Sequence, residues 1–329
     1  MAQHPPAPRF AIVIPCWNEA ANLAACVGSI RAAAADRHAV EIILVDNGST
    51  DGSQAIARKL GVQVLENTNG RRVAIAALRN RGAAASCGEI LCFLDADMRV
   101  PPRWLDAVDA AYAAGLTGLL GFVETTPQDA AVPWVARIWG ERYVLRRAGV
   151  RDVDFLPGRN MNIPRAAFAV LGGFDETLHT SEDKDLTLRA RDAGLGAISS
   201  DAVVLVHTGH EKSVSEFVRK EFWRQGGSLA FARKHRFRSR TLRQPLMAAG
   251  HLWCLVVMLA CVLGLGTAQG MAWLGLLWLA PSVVSVWSGP ARRKPWLALQ
   301  LTVLEFLRWN VAGVALARQL VQEFNPVKR

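Results

Sequence analysis

A chain of 329 residues, 51% hydrophobic and 20% charged, is too long for one small domain and too short for three, so one main domain with an appendage is the natural organisation. Its formal charge of +10 admits a nucleic-acid or an anionic-membrane partner, but no stacking-aromatic RNA motif accompanies the basic residues, which sets nucleic acid aside. Six cysteines in apolar surroundings, without a CxxC pair, suggest neither a disulfide framework nor a zinc site, and reduced, buried thiols are the better reading.

Taken in order, the first two thirds of the chain alternates strands and helices, the pattern of a mostly parallel sheet covered on both faces. Phe10-Ala11-Ile12-Val13-Ile14 runs straight into Pro15 without the features of a secretory leader, and reads as a first strand. Further strands are expected at 41–45, 62–65, 90–94 and 116–123, with helices at 20–35, 54–60, 71–86 and 103–114. Polar clusters follow three of these strands: Asn18-Glu19, Asp46-Asn47-Gly48-Ser49 and Asp95-Ala96-Asp97. Doubly wound sheets bind ligands beyond the carboxyl ends of their strands, so the clusters mark the expected site. No GxGxxG opens the first helix and no GxxxxGK[ST] occurs, which disfavours a dinucleotide dehydrogenase or a P-loop enzyme.

Nine Lys and Arg residues between Arg219 and Arg243 precede an apolar run at 246–267, whose 22 residues suffice to cross a hydrocarbon core as a helix. Basic residues beside such a run suit a cytoplasmic, anionic phospholipid surface, although a solvated helix face gives the same pattern. A second run, 271–287, is interrupted by Pro281 and follows so closely that the two read as a hairpin. Arg292-Arg293-Lys294 then fits a return to the cytoplasm. The third apolar stretch, 297–317, holds Gln300, Glu305, Arg308 and Asn310, each unfavourable at mid-bilayer; it either spans against partners or lies in the interface.

Three acidic constellations carry chemistry. Asp95 and Asp97 on a tight turn repel each other unless a cation intervenes, and such oxygen ligands suit Mg2+ or Mn2+ holding a diphosphate; a turn in which Asp satisfies backbone donors is the alternative. Ser181-Glu182-Asp183-Lys184-Asp185 opens a helix, where carboxylates either answer the helix dipole or, in the case of Asp183, take a proton from a hydroxyl with Glu182 in support. Asp46 ends a strand and is placed to reach a base or ribose, while Ser49 or Asp51 caps the following helix.

Val13-Ile14-Pro15-Cys16-Trp17-Asn18-Glu19, Leu44-Val45-Asp46-Asn47-Gly48-Ser49-Thr50-Asp51, Phe93-Leu94-Asp95-Ala96-Asp97, Gly172-Gly173-Phe174-Asp175-Glu176 and Ser181-Glu182-Asp183-Lys184-Asp185-Leu186 occur in this order. Together, across 10–240, they resemble the family-2 glycosyltransferases, inverting enzymes of GT-A fold. The resemblance implies that Pro15, Asn18 and Glu19 border the nucleotide and that Asp46 contacts its base, usually uracil. It implies that Arg79 and Asn80 help bind the diphosphate, that Asp97 with Asp95 holds the metal, and that Asp183 is the general base. Asn160 falls where the family contacts sugar or acceptor. His207, at a strand end, is either a further metal ligand or a structural histidine. The Gln-x-x-Arg-Trp element of processive synthases is missing; Phe222-Trp223-Arg224-Gln225 stands there instead, with Arg224 set to meet diphosphate, acceptor or phospholipid.

The expected division is a GT-A catalytic domain at 1–240, including the basic helix, and a membrane region at 241–329. The expected activity moves a sugar from a nucleotide-sugar donor, UDP-linked by the resemblance, to a hydroxyl of a lipid-linked acceptor at the cytoplasmic membrane. Two other readings stand beside it: a polyprenyl-phosphate sugar transferase, whose anionic acceptor needs no general base, and a silent scaffold that binds nucleotide sugar.

Overall fold

The computed structural model describes residues 8–68, 70–127, 132–146 and 149–324. It opens with β1 (Phe10–Cys16), α1 (Ala20–Ala34), β2 (Val40–Asp46), α2 (Ser53–Lys59), β3 (Gln63–Glu66), α3 (Ile75–Ala84) and β4 (Ile90–Leu94). There follow β5 (Met98–Arg99), α4 (Trp104–Ala113), β6 (Leu119–Thr125), α5 (Trp134–Arg146), β7 (Arg151–Asp152) and β8 (Asn160–Pro164). The remainder is α6 (Arg165–Val170), α7 (Glu182–Asp192), β9 (Ala197–His207), α8 (Val214–Gln225), α9 (Ser228–Lys234), α10 (Ser239–Ala260), α11 (Ala268–Trp287) and α12 (Pro295–Phe324). The described residues divide into two compact units, one within 1–128 and 147–209, the other within 129–146 and 210–329.

In the first unit the nine described strands form one sheet of order β3-β2-β1-β4-β8-β6-β9-β5, with β7 beside β9. The expected parallel pairing holds for β3, β2, β1 and β4 and again between β6 and β9; β8 enters antiparallel to both β4 and β6, so the sheet is mixed. β1 is buried along its whole length, as a central parallel strand covered on both faces must be. Its side chains alternate: Phe10, Ile12, Ile14 and Cys16 join one apolar layer, Ala11 and Val13 the other.

Two element starts differ from expectation for tertiary reasons. α3 begins at Ile75 instead of Arg71, because the Asn47 amide holds Val73 extended, accepting from its N–H and donating to its carbonyl at 3.0 Å each. β6 begins at Leu119 instead of Leu116, after Gly118, where a Cβ would meet the Leu195 carbonyl at 2.1 Å.

The second unit is helical. Two segments, Ser239–Gly264 and Ala268–Trp287, are long and apolar enough to cross a membrane, and only 17% and 11% of their most apolar windows are buried. They are therefore unlike the core helices of a soluble unit, which bury such faces. α11 continues through Pro281, the expected interruption. α12 runs unbroken for 30 residues, beyond the expected 297–317. It starts against the end of α11, with Leu301 beside Val286 and the Trp287 indole on Thr302 at 3.2 Å. Phe306 then meets Trp278 and His251, and Gly313 lies close on Ala248 and Leu252 of α10. Gln319 finally reaches the Gln225 carbonyl and the Leu229 amide, back before α10 begins.

Glu305 and Arg308 of α12 find their partners within this unit. Glu211, Arg224, Glu221, Arg308, Glu305 and Arg142 form an alternating chain of ion pairs, with contacts of 2.5, 2.7, 3.3 and 3.2 Å before the Glu305–Arg142 pair. Burial alone would push the Glu221 carboxyl up, yet Arg308 and Arg224 hold it below its ordinary range. Removing one member of such a buried pair typically costs about 3–5 kcal/mol.

Candidate active site

The site assembles at one edge of the sheet in the first unit. Because β1, β2 and β4 run parallel, their carboxyl ends share that edge, and β8 begins there with Asn160 opposite Leu94. β9 ends there too, its last residue His207 paired with Met98 just after the Asp95-Ala96-Asp97 turn.

The loops after β1 and β2 are knitted together. The Asn18 amide nitrogen donates to Ser49 Oγ at 2.9 Å and its side-chain oxygen accepts from the Thr50 N–H at 2.8 Å. Asp51 accepts from the Ser53 N–H and from the Ala20 N–H; the N-cap of α2 is Gly52, so Asp51 reaches the helix start from one residue before the expected capping position. Pro15 is buried inside β1 opposite Val45, and Glu19 leads into α1, accepting from Asn22 at 2.8 Å. Asp46 is fully buried, and its Oδ2 accepts from the Gly48 and Ser49 amides and from Gln54 Nε2 at 2.9, 3.0 and 2.7 Å. Its Oδ1 is buried without a hydrogen bond. A buried acceptor without its bond is unfavourable, so an N–H brought to it by a shift of the surrounding loop would be favoured.

Arg79, from α3, joins the two acidic constellations. Its Nη2 donates to Asp95 Oδ1 at 3.0 Å and its Nη1 to Glu182 Oε1 at 2.7 Å. Gly158 makes room for the guanidinium: a Cβ there would lie 2.4 Å from Nη1. Burial and the neighbouring Asp183 push the Glu182 carboxyl up to about 7 despite Arg79. Burial likewise raises Asp95, Arg79 opposing and Asp97 adding to the rise. The Asp95 side chain keeps 29% of its surface, so solvent tempers that shift.

Asp183 stands half-buried at the start of α7, its oxygens accepting from the Gly158 N–H at 3.2 Å and the Lys184 N–H at 2.8 Å. Ser181, just before it, has φ of 72°, a left-handed backbone that costs a non-glycine residue roughly 1–3 kcal/mol and is concentrated at functional sites.

Asp97 meets His207, Oδ2 to Nε2 at 3.2 Å, and the Asp97 carbonyl accepts from both the N–H and the hydroxyl of Thr208. Gly209 packs on the same carboxylate, since a Cβ there would fall 1.7 Å from Asp97 Oδ2. Among the described residues no three His, Cys, Asp or Glu groups form a self-sufficient metal cage. Asp97 and His207 nevertheless stand in contact, with Asp95 two positions away in the same turn, and carboxylate oxygens are the donor type that Mg2+ and Mn2+ take. The edge is rich in carboxylates: Asp95 and Glu182 pair with Arg79, Glu124 with Arg159 and Asp97 with His207, while Asp183 accepts from backbone N–H groups.

Other expected residues have structural partners. The Asn160 amide accepts from the Phe122 N–H and donates to its carbonyl, stitching β8 to β6, and lies 2% exposed. Asn80 clasps the Gly172–Glu176 turn through both backbone groups of Phe174. Arg224 belongs to the second unit, in its ion-pair chain. Sequence reasoning missed Gln54, Arg159 with Glu124, and Gly209. Only Gly209, between two histidines, carried a readable signal.

A profile of the family described as Glycosyl transferase family 2 matches residues 11–168, and one described as Glycosyl transferase family group 2 matches residues 90–287. The chain is 26% identical over 330 residues to the pre-mycofactocin glycosyltransferase of Mycobacterium tuberculosis, covering 94% of this chain but 63% of that protein, less than two thirds of its length. It is 27% identical over 317 residues to succinoglycan biosynthesis protein ExoA of Rhizobium meliloti, covering 91% of this chain and 92% of that one. Among solved structures, mannosyltransferase PcManGT from Pyrobaculum calidifontis, in complex with GDP-Man and Mn2+, matches with a TM-score of 0.66 at 20% identity over 98% of this chain and 88% of that one, a likeness of fold.

Proposed function

The chain belongs to glycosyl transferase family group 2, and from that membership we propose that it transfers a sugar, with inversion, from a nucleoside-diphosphate donor to a hydroxyl of a membrane-borne acceptor. The observation that carries this reading is the Arg79 bridge, which brings Asp95 within one side chain of Glu182 and sets Asp183 beside the same edge.

Asp46 Oδ1 accepts an N–H of the donor base, a uracil in our reading, while Asn18 and Glu19 shape the loop around it. Arg79 holds Asp95 in place and presents positive charge to the diphosphate. Asp183 takes the proton of the acceptor hydroxyl, whose oxygen bonds to the anomeric carbon as the bond to the diphosphate oxygen breaks. Mg2+ or Mn2+ on Asp97 and Asp95, with His207 adjoining, supplies electrostatic stabilisation of the departing diphosphate when bound. Positioning and fixed charge account for most of the rate gain in such a displacement.

The membrane assignment rests on charge placement. Residues 244–291 contain no charged side chain, while Arg236, Arg238, Arg240 and Arg243 precede them and Arg292, Arg293 and Lys294 follow. Both polar ends of the hairpin thus carry cations, which orients them toward the cytoplasm and an anionic leaflet. α12 begins and ends at that side, against Trp287 and Gln225, and we read it as lying across the hairpin instead of spanning. The catalytic domain is the first unit, the membrane anchor the second.

The test is Asp183→Asn, assayed in nanodiscs with a panel of nucleotide sugars and lipid acceptors. Transfer is expected to disappear while donor binding by calorimetry stays within about twofold, since the base acts only on the acceptor. Undiminished transfer overturns the assignment.

A further inference from the structure

Asp46 is fully buried and its Oδ1 has no hydrogen bond, so an N–H reaches it only if something around the end of β2 gives way. The register sets Cys16, Asp46 and Glu66 side by side at the neighbouring ends of β1, β2 and β3. Paired strands stand about 4.8 Å apart, so the loops after β1 and β3 are separated by the place of β2, roughly 10 Å across. One contact closes that gap. The Arg72 guanidinium, carried by the loop after β3, lies 3.6 Å from the ring centroid of Trp17, the residue that follows β1. The pair therefore bridges the end of β2 from one flank to the other.

The parts of this bridge are held unequally. Val73, next to Arg72, is fixed through both backbone groups by the Asn47 amide, and Asn67 donates to the same Asn47 oxygen at 3.0 Å. On the other flank, Asn18, next to Trp17, is tied to Ser49 and Thr50. The Arg72 side chain is exposed, and no carboxylate among the described residues pairs with it. An exposed cation–π contact changes an equilibrium by only about two- to fivefold. The arginine is thus the part that yields, by a change of rotamer over a backbone that stays in place.

We propose that Arg72, stacked on Trp17, is a gate over the base subsite, and that donor binding requires its guanidinium to leave the indole. The proposal rests on the nucleotide reading of Asp46 above and adds a residue that sets donor affinity without gripping the donor. Affinity is lowered by the fraction of molecules whose gate is closed.

The test is calorimetry on the full chain in nanodiscs, with UDP and, in parallel, GDP as probes, following the one bound more tightly. Arg72→Gln, at an exposed position, is expected to tighten binding about two- to fivefold, the scale of the contact removed. Arg71→Gln takes the same charge from an exposed neighbour that has no such stack, and is expected not to tighten it. In a Trp17→Leu background Arg72→Gln is expected to have no further effect, since two residues that act through their mutual contact are non-additive. Unchanged affinity in Arg72→Gln overturns the gate. So does weaker binding, which would make the guanidinium a contact of the nucleotide. Equal tightening by Arg71→Gln, or a full effect of Arg72→Gln without Trp17, overturns it as well. Failure of the nucleotide reading looks different: neither UDP nor GDP would then bind to the wild type or to Arg72→Gln, and the gate would fall with that reading.

Discussion

Arg79 donates through Nη1 to Glu182 at 2.7 Å although 103 positions separate them in the chain. Its other terminal nitrogen holds Asp95, so one guanidinium fixes the distance between a strand-end turn and the first turn of α7. Arg79→Ala leaves Glu182, 6% exposed, without its cation. A loss of about 3–5 kcal/mol is expected from that uncompensated charge, with protonation of Glu182 moderating it, and is measured by urea unfolding. Donor affinity, measured by calorimetry, is expected to fall with it.

The same pair gives stability a pH dependence. Glu182 in the folded chain titrates near 7, above its ordinary 4.5, because burial and Asp183 outweigh Arg79. The folded state therefore binds the proton more tightly than the unfolded one. Its stabilisation is complete below 4.5 and is lost as pH rises through about 7. Glu182→Gln is expected to flatten the unfolding midpoint across that window; an unchanged slope contradicts the assignment of the shift to this residue.

Gln54 positions Asp46. With Gln54→Leu the carboxylate loses one of the three donors that fix its Oδ2, and Oδ1 loses its defined orientation. A charge-assisted hydrogen bond contributes about 1.5–3 kcal/mol, so the donor KM is expected to rise roughly tenfold or more with kcat within about twofold. Steady-state kinetics at saturating acceptor separates the two.

Gly209→Ala tests the metal seat. The new Cβ would overlap Asp97 Oδ2, and a carboxylate can rotate away where backbone could not, so the fold survives and Asp97 is displaced. Circular dichroism is expected to be unchanged. Mn2+ affinity measured by paramagnetic relaxation in the presence of nucleoside diphosphate is expected to fall, and EDTA to abolish the remaining activity.

Much of the site was legible because its residues stand in short motifs at strand ends. Asp46, Asp95 and Asp97 follow apolar runs that end within one residue of the observed β2 and β4, and burial on both faces makes such runs conspicuous. Asn160 and Asn80 were legible as polar residues near the site, but their hydrogen bonds to Phe122 and Phe174 were not. Whether an amide faces a cleft or bridges two strands depends on which strand lies alongside, and β8 comes to lie between β4 and β6 only through the sheet order.

Local chemistry in the chain determined the alternation of strands and helices, the acidic turns, the apolar hairpin and the cations at its ends, because hydrophobic period, turn composition and charge spacing act over a few residues. Tertiary structure alone decided that Arg79 joins Asp95 to Glu182, that Gly209 lies on Asp97, and that Arg142 answers Glu305. Those pairings span tens of residues to more than a hundred, and a buried charge finds its partner only when the packing of whole elements excludes water from both.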